Sequence, residues 1–458
     1  MLFKGIGDLI PLYALYAVLF ADHGLNTGQI SSLLAIWSAT AFLLEVPSGA
    51  WADTVSRRGL LVLSGVLLTA GFTSWTVLPT YLGFAVGFFL WGTSGALVSG
   101  TFEALLYDEL VARGERQAYP RIIGYARAAS EAAIVIAILA ATPLFIWGGY
   151  PLLGWSSVAI AAVHTLIGLT LPSAPKAVSA ADVEDLEEDA GYGGAVSETV
   201  SRSFATYLSM LRTGVGEAIR VRAVRNGLAL GALLFGITAF DEYFALLGEE
   251  VGVATAVVPL LVGVTVIGSL VGSMLAGRTE GISARTMAIA VGLGGVLFVG
   301  GAVVAGLAVR WPGSVYVFVG VGFTAIGASY GIVYNAGVVA GARLQDAIEG
   351  RARATVTSVS GLAAEVVALA VFGFAAIATM WLSMSTTLAL LGATILPIAL
   401  ATPAWLPRRV ARSSVERNAD EVACGEQELV GGAVDEGVAA DREGARQPAV
   451  GGFPQAAE

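Results

Sequence analysis

The chain has 458 residues, of which 56% are hydrophobic and 13% are charged, whereas soluble domains carry about 25% charged residues. This composition excludes an ordinary soluble protein, and the net charge of −10 argues against a nucleic-acid partner. One cysteine and two histidines are too few for a disulfide framework, a zinc cluster or a haem pair. We therefore expect no metal, no cofactor and no catalytic site.

Apolar runs bounded by charged or turn-forming residues predict twelve transmembrane helices, since about 20 apolar residues cross a bilayer. In chain order they lie near 6–22, 28–51, 59–79, 82–107, 121–146, 151–172, 224–247, 253–276, 285–309, 313–340, 354–378 and 382–406. The runs are uniformly apolar rather than alternating, which favours helices over a β-barrel. The sequence predicts an all-α membrane protein.

The longest gap between these runs divides the chain into two six-helix halves, the first half (1–172) and the second half (224–406). The gap, 173–223, is predicted to be a cytoplasmic linker that starts with an acidic run. Its second part, with the residues up to 225, mixes arginines with large apolar residues as an amphipathic surface helix does. The tail, 407–458, is predicted to be disordered and cytoplasmic.

Arginines follow every second predicted span, and Arg310 is the only basic residue in the alternate loops. Because positive loops stay in the cytoplasm, both termini are predicted to be cytoplasmic. We expect a multi-pass protein of the cell membrane, in contact with its lipid.

Similar short strings recur in the two predicted halves. Gly92–Gly95 in the fourth span aligns with Gly327–Gly331 in the tenth at an offset of 235 residues, and Glu131 aligns with Glu365 at nearly the same offset. Internal repeats of this kind are typical of transporters, whose halves meet at a central interface.

The most specific local motif lies between the second and third spans, where Gly49 is followed by Asp53 and then by the basic pair Arg57 and Arg58. This pattern resembles the loop signature of the major facilitator superfamily, at the place where that family carries it. The resemblance implies two six-helix halves, transport of a small-molecule substrate by alternating access, and a functional monomer.

The motif is predicted to form a cytoplasmic gate. Asp53 ends a helix and can pair with an arginine or accept hydrogen bonds from a neighbouring helix N-terminus. Glu45 lies two turns earlier on the same face, so we assign it to the same gate. Alternatively, Asp53, Arg57 and Arg58 only set loop geometry and topology.

Charged residues inside spans are costly unless they are paired or face water. Glu103 and Arg127 lie at similar depth and are predicted to pair, and Glu131, one turn beyond Arg127, competes for the same guanidinium. Glu365 has no basic partner in its own span. These four residues are the candidates for proton coupling, and a static ion pair is the alternative. Asp241 and Glu242 are placed near the outer end of the seventh span.

Aromatic and amide side chains inside the predicted bundle are candidates for lining a substrate cavity. They are Tyr13, Tyr16, Trp37, Tyr330, Tyr334 and Asn335. Packing or a membrane-interface belt is the alternative for each of them.

The string Gly327–Gly331 also matches the G-x-S-x-G pattern of hydrolases around Ser329, but it lies within a span, with no strand before it and no histidine after it. We therefore expect a secondary transporter that exports a small organic or amphipathic solute in exchange for protons or another ion. The alternatives are a proton-linked importer of a small metabolite, a non-transporting receptor and an intramembrane enzyme.

Overall fold

The computed structural model describes residues 1–173, 175–176, 221–348 and 353–407, and these residues form helices joined by short turns. The tail beyond 407 lies outside the described residues. So do linker residues 174 and 177–220, which include most of the predicted amphipathic helix.

The first half contains seven α-helices and two 3₁₀ stretches, Arg116–Ala118 and Pro11–Ala14, and we call the latter the 3₁₀ turn. The helices are α1 (Leu2–Asp8), α2 (Tyr16–Asp22), α3 (Thr27–Thr54), α4 (Arg57–Val77), α5 (Tyr81–Val98), α6 (Thr101–Ala112) and α7 (Tyr119–Thr170).

The described part of the second half contains eight α-helices and four 3₁₀ stretches. The longest of the four is Ile237–Tyr243, which we call the 3₁₀ segment. The helices are α8 (Arg222–Gly236), α9 (Phe244–Glu250), α10 (Val258–Thr279), α11 (Ala284–Leu307), α12 (Val315–Asp346), α13 (Arg353–Ala378), α14 (Met384–Ala393) and α15 (Ile395–Trp405).

Within the described ranges, ten helical stretches are long and apolar enough to cross a membrane. One of them includes α7, which is two helices joined at Gly149, a residue with non-helical φ 60° and ψ −156°; it covers the predicted fifth and sixth spans. The predicted first span is interrupted by the turn at Pro11–Ala14. The structure confirms the helical membrane fold, and the count of twelve spans stays a prediction.

Several helices begin where a polar side chain binds the backbone of the first turn. Asn26 and Gln29 form a reciprocal capping box at the start of α3, and Ser56, Thr80 and Ser283 accept hydrogen bonds from the third residue beyond them. Such caps satisfy N–H groups that have no partner within the helix.

The two halves meet where α3 packs against α13 and α7 packs against α10. The hydroxyls of Ser31 and Tyr243 lie 2.7 Å apart across this boundary. The two halves therefore share one buried core, which includes Tyr16 from the first half and Phe240 from the second.

Candidate functional site

The first half encloses a cavity of about 420 Å³, which we call the N-half cavity. It is bounded by α1, the 3₁₀ turn and helices α4 to α7. Its charged and titratable lining residues are Lys4, Asp8, Glu103, Arg127 and His164, and its aromatic wall includes Tyr13 and Trp91. Three of the predicted site residues, Tyr13, Glu103 and Arg127, are thus brought to one cavity.

A break in the fourth predicted span positions Glu103. Gly100 has φ +66°, which favours glycine, and it separates α5 from α6. Glu103 therefore stands in the first turn of α6, where the helix dipole stabilises a negative charge. Its Oε1 lies 3.2 Å from Lys4 Nζ, while its buried Oε2 has no hydrogen-bond partner among the described residues.

Lys4 is the ion-pair partner of Glu103, and the sequence patterns do not predict this pair. Its Nζ also lies 5.1 Å from the centre of the Phe102 ring. The predicted partner, Arg127, lines the same cavity. Lys4 was missed because it stands in the short N-terminal segment, before the first apolar run.

Helix α1 is fixed in the cavity wall by ring packing and hydrogen bonds. The Phe3 and His164 rings have centroids 4.2 Å apart, and His164 Nδ1 donates to the Phe3 carbonyl oxygen at 2.9 Å. Asp8, at the end of α1, accepts a hydrogen bond from Ser130 of α7. The N-terminal residues are therefore part of the site.

Trp91 connects the three aromatic candidates of the first half. Its ring stacks on Tyr13 at 4.9 Å and 15°, and it contacts Trp37 at 5.2 Å and Tyr16 at 6.4 Å. Tyr16 is buried, whereas Tyr13 and Trp91 are half-buried and line the cavity.

The 3₁₀ segment carries Asp241 and Glu242 into the bundle, where both are half-buried. The Tyr330 hydroxyl donates to Asp241, and the Tyr16 hydroxyl donates to Glu242 across the boundary between the halves. Both acids therefore bind side chains within the bundle, and their position near the outer end of the span stays a prediction. The sequence pattern does not predict the 3₁₀ geometry of this segment.

Glu365 accepts a hydrogen bond from Ser38, which also crosses between the halves. Glu45 lies close enough to Glu365 for their charges to interact. The assignment of Glu45 to the gate stays a prediction. Glu131 is exposed and is near enough to act electrostatically on Asp8 and on Tyr334 of the second half.

The predicted gate residues form a compact cluster at the end of α3. Arg57 binds Asp53 at 3.3 Å and Asp108 of α6 at 2.5 Å. Arg58 Nη1 donates to the Leu171 carbonyl oxygen at 3.4 Å, and a Cβ on Gly49 would meet no heavy atom within 4 Å. The contacts of Arg57 and Arg58 join parts of the first half, and Lys176 of the linker donates to the Asp53 carbonyl oxygen at 2.7 Å. The role of the motif as a gate stays a prediction.

The remaining candidates lie on α12. Tyr330 and Tyr334 have ring centroids 4.9 Å apart, and Tyr330 is buried. Asn335 donates to the Gly272 carbonyl oxygen at 2.9 Å and accepts from Thr279 at 3.0 Å. Both ends of its amide are therefore bound to α10 in a helix–helix contact.

The chain resembles solved transporter structures over most of its length. An auto-inhibited peptide transporter of the POT family matches with TM-score 0.64 and 12% identity, covering 90% of this chain and 97% of that one. A nucleoside transporter matches with TM-score 0.60 and 13% identity, covering 89% and 96%. A D-xylose–proton symporter matches with TM-score 0.57 and 16% identity, covering 89% and 95%.

At these identities the solved structures show the fold alone. No curated protein matches the sequence. The family model of the Major Facilitator Superfamily matches residues 2–338, about three quarters of the chain. The chain belongs to the major facilitator superfamily of transporters.

Proposed function

We propose that the protein is a proton-coupled secondary transporter that moves a small organic solute by alternating access. The observation that carries this proposal is a pair of carboxylate–hydroxyl hydrogen bonds that join the two halves. Tyr16 of the first half donates to Glu242 of the second, and Ser38 donates to Glu365.

Each of these bonds links the protonation state of an acid to the contact between the halves. A hydroxyl bonded to an ionised carboxylate forms a charge-assisted hydrogen bond, about twice as strong as a neutral one. Protonation of Glu242 or Glu365 weakens the bond and favours separation of the halves at that point. Proton binding to these acids and formation of the contact between the halves are therefore thermodynamically linked.

Alternating access needs a solute site that the halves expose in turn to each side. The N-half cavity is the candidate for that site, because it combines polar groups with an aromatic wall. The brace formed by Asp53, Arg57 and Asp108 keeps the ends of α3, α4 and α6 together, so that the first half moves as one body.

We propose that the protein exports its solute, because the aromatic wall of the cavity suits amphipathic solutes. Proton-linked import of a small metabolite is the second candidate, and the mixed charges of the cavity favour it. The two are distinguished by comparing right-side-out and inside-out vesicles, because only one orientation gives solute accumulation under a given proton gradient.

The test uses purified protein in proteoliposomes with an imposed pH gradient and a panel of organic solutes. We expect wild-type protein to dissipate the gradient when its solute is present. Glu242→Gln and Glu365→Gln remove the titratable groups, so at least one is expected to lose proton-driven flux while retaining solute counterflow.

Glu115→Gln is the matched control, because Glu115 is exposed in the turn before α7; it should behave as wild type. Unchanged proton-driven flux in both carboxylate variants would contradict the assignment of coupling to these bonds.

A further inference from the structure

The N-half cavity holds fixed charges of both signs beside a flat aromatic wall. Lys4 and Arg127 are basic, whereas Asp8 and Glu103 are acidic. We infer that the cavity binds a small zwitterion bearing a flat ring, with its ammonium toward the acids, its anionic group toward the bases and its ring on the wall. This inference rests on the proposed function and names the substrate class.

The acidic side of the cavity has an unused acceptor. Glu103 Oε1 is bound to Lys4, but Oε2 is buried without a hydrogen-bond donor among the described residues. A buried carboxylate oxygen without a donor is unfavourable, because it has lost its hydrogen bonds to water. A ligand ammonium supplies the missing donor and a compensating charge.

Lys4 has N–H donors beyond its ion pair with Glu103. An ammonium group has three N–H donors, and the Lys4 side chain, which is 25% exposed, shares an ion pair with Glu103. Arg127 is exposed on α7 at the other side of the cavity. A carboxylate or phosphate on the ligand would bind between them through charge-assisted hydrogen bonds.

The aromatic wall accommodates a planar group. Tyr13 of the 3₁₀ turn and Trp91 of α5 stack on each other at an interplanar angle of 15°, and both line the cavity, so aromatic rings bound it on this side. Contact of a ligand ring with such residues stabilises binding beyond the burial of apolar area. The cavity volume, about 420 Å³, falls in the range of small-molecule sites.

Balance of charge favours a zwitterion over a simple ion. The two acids and two bases of the lining cancel, so a lone cation or anion would add an unbalanced charge to a site of low dielectric constant. A zwitterion adds none, and it engages both kinds of lining group at once.

The test measures ligand binding by thermal stabilisation of the purified full-length chain in lipid nanodiscs. Four indole compounds distinguish the contributions of the two charged groups to binding. Tryptophan has both groups, tryptamine lacks the carboxylate, indolepropionate lacks the ammonium, and N-acetyltryptophanamide lacks both. We expect tryptophan to bind at least tenfold more tightly than each of the others.

Two variants test which lining residue binds which charge of the ligand. Glu103→Gln should weaken the binding of tryptophan at least tenfold and leave the binding of indolepropionate unchanged. Lys4→Gln should weaken the binding of tryptophan and indolepropionate but not that of tryptamine. Glu109→Gln, on the opposite part of α6 near Arg113, is the control and should bind as wild type. If Glu103→Gln does not fold, the Lys4→Gln comparison alone decides.

Equal binding of tryptamine and tryptophan, or no binding of any of the four compounds, would overturn the inference. Tryptophan binding without proton-coupled flux would contradict the proposed coupling and support the cavity assignment. Proton-coupled flux of other solutes without tryptophan binding would support the proposed function and overturn the zwitterion assignment.

Discussion

Arg57 Nη1 lies 2.5 Å from Asp108 Oδ2, and the two side chains are only 2% and 1% exposed. This buried ion pair connects the start of α4 to α6, and Asp53 at the end of α3 contacts the same guanidinium. The loop motif thus holds three helix ends together, although the sequence motif alone includes only two of them.

Asp108→Asn is expected to destabilise the protein, because it replaces the nearer carboxylate of the buried Arg57 with a neutral amide, while Asp53 still contacts the guanidinium at 3.3 Å. Breaking one side of a buried pair costs about 3–5 kcal/mol, and the Asp53 contact reduces this cost. Thermal unfolding of the purified protein in detergent measures the effect. Glu109→Gln breaks the neighbouring pair with Arg113, whose side chain is 62% exposed, so it should change stability by about 0–1 kcal/mol. Equal melting temperatures for the two variants would refute this account.

The second half has a related brace of different chemistry. At the repeat offset of 235 residues, Arg343 occupies the position equivalent to Asp108. It is buried, and its Nη2 donates at 2.6 Å to the carbonyl oxygens of Glu280 and Ile282, in the turn between α10 and α11. An arginine at the end of the tenth predicted span thus binds a loop backbone, where the first half uses a carboxylate to bind a loop arginine.

Arg343→Gln is therefore expected to lower the melting temperature, but by less than Asp108→Asn, since it removes hydrogen bonds to neutral carbonyl groups rather than the nearer ionised partner of a buried charge. Arg343→Lys should recover part of the loss, because one ammonium can reach one carbonyl at a time. A melting temperature for Arg343→Gln below that of Asp108→Asn would show that the brace of the second half is the more important one.

Glycines let α10 and α12 pack backbone to backbone. A Cβ on Gly272 would overlap the carbonyl oxygen of Gly331, whereas a Cβ on Gly277, five residues further along α10, meets nothing within 4 Å. Gly272→Ala should cost about 1–3 kcal/mol through overpacking, and Gly277→Ala should be neutral or stabilising by up to about 1 kcal/mol. Thermal unfolding of both variants tests the prediction; tolerance of Gly272→Ala would mean that the two helices separate without penalty.

The packing of α12 against α10 explains the glycines of the string Gly327–Gly331, and no catalytic role for Ser329 is needed. A Cβ on Gly327 would lie 2.9 Å from the Val264 carbonyl oxygen, so its glycines allow close helix packing. Ser329 is buried within α12. These positions support the helical interpretation of the string that the sequence favoured over a hydrolase motif.

The sequence could predict the helical spans and the candidate acids, because hydropathy and isolated charges in apolar runs are local signals. It could not predict the contacts of Glu242 with Tyr16 or of Glu103 with Lys4. The first depends on the 3₁₀ segment, Ile237–Tyr243, which lies inside an apolar run that the hydropathy predicts to be one continuous span. The second depends on a short helix before the first apolar run, where hydropathy carries little information.

Gly149 joins the two parts of α7, and its conformation sets the angle between the predicted fifth and sixth spans. Its φ of 60° with ψ of −156° lies in a region open essentially to glycine alone. Gly149→Ala should therefore cost about 1–3 kcal/mol. Gly124→Ala, within the regular part of α7 and with nothing within 4 Å of the added Cβ, is the control and should be stabilising by about 0.5–1 kcal/mol. The melting temperatures of both variants test this prediction. A melting temperature for Gly149→Ala at or above that of wild type would mean that position 149 does not require a conformation open only to glycine.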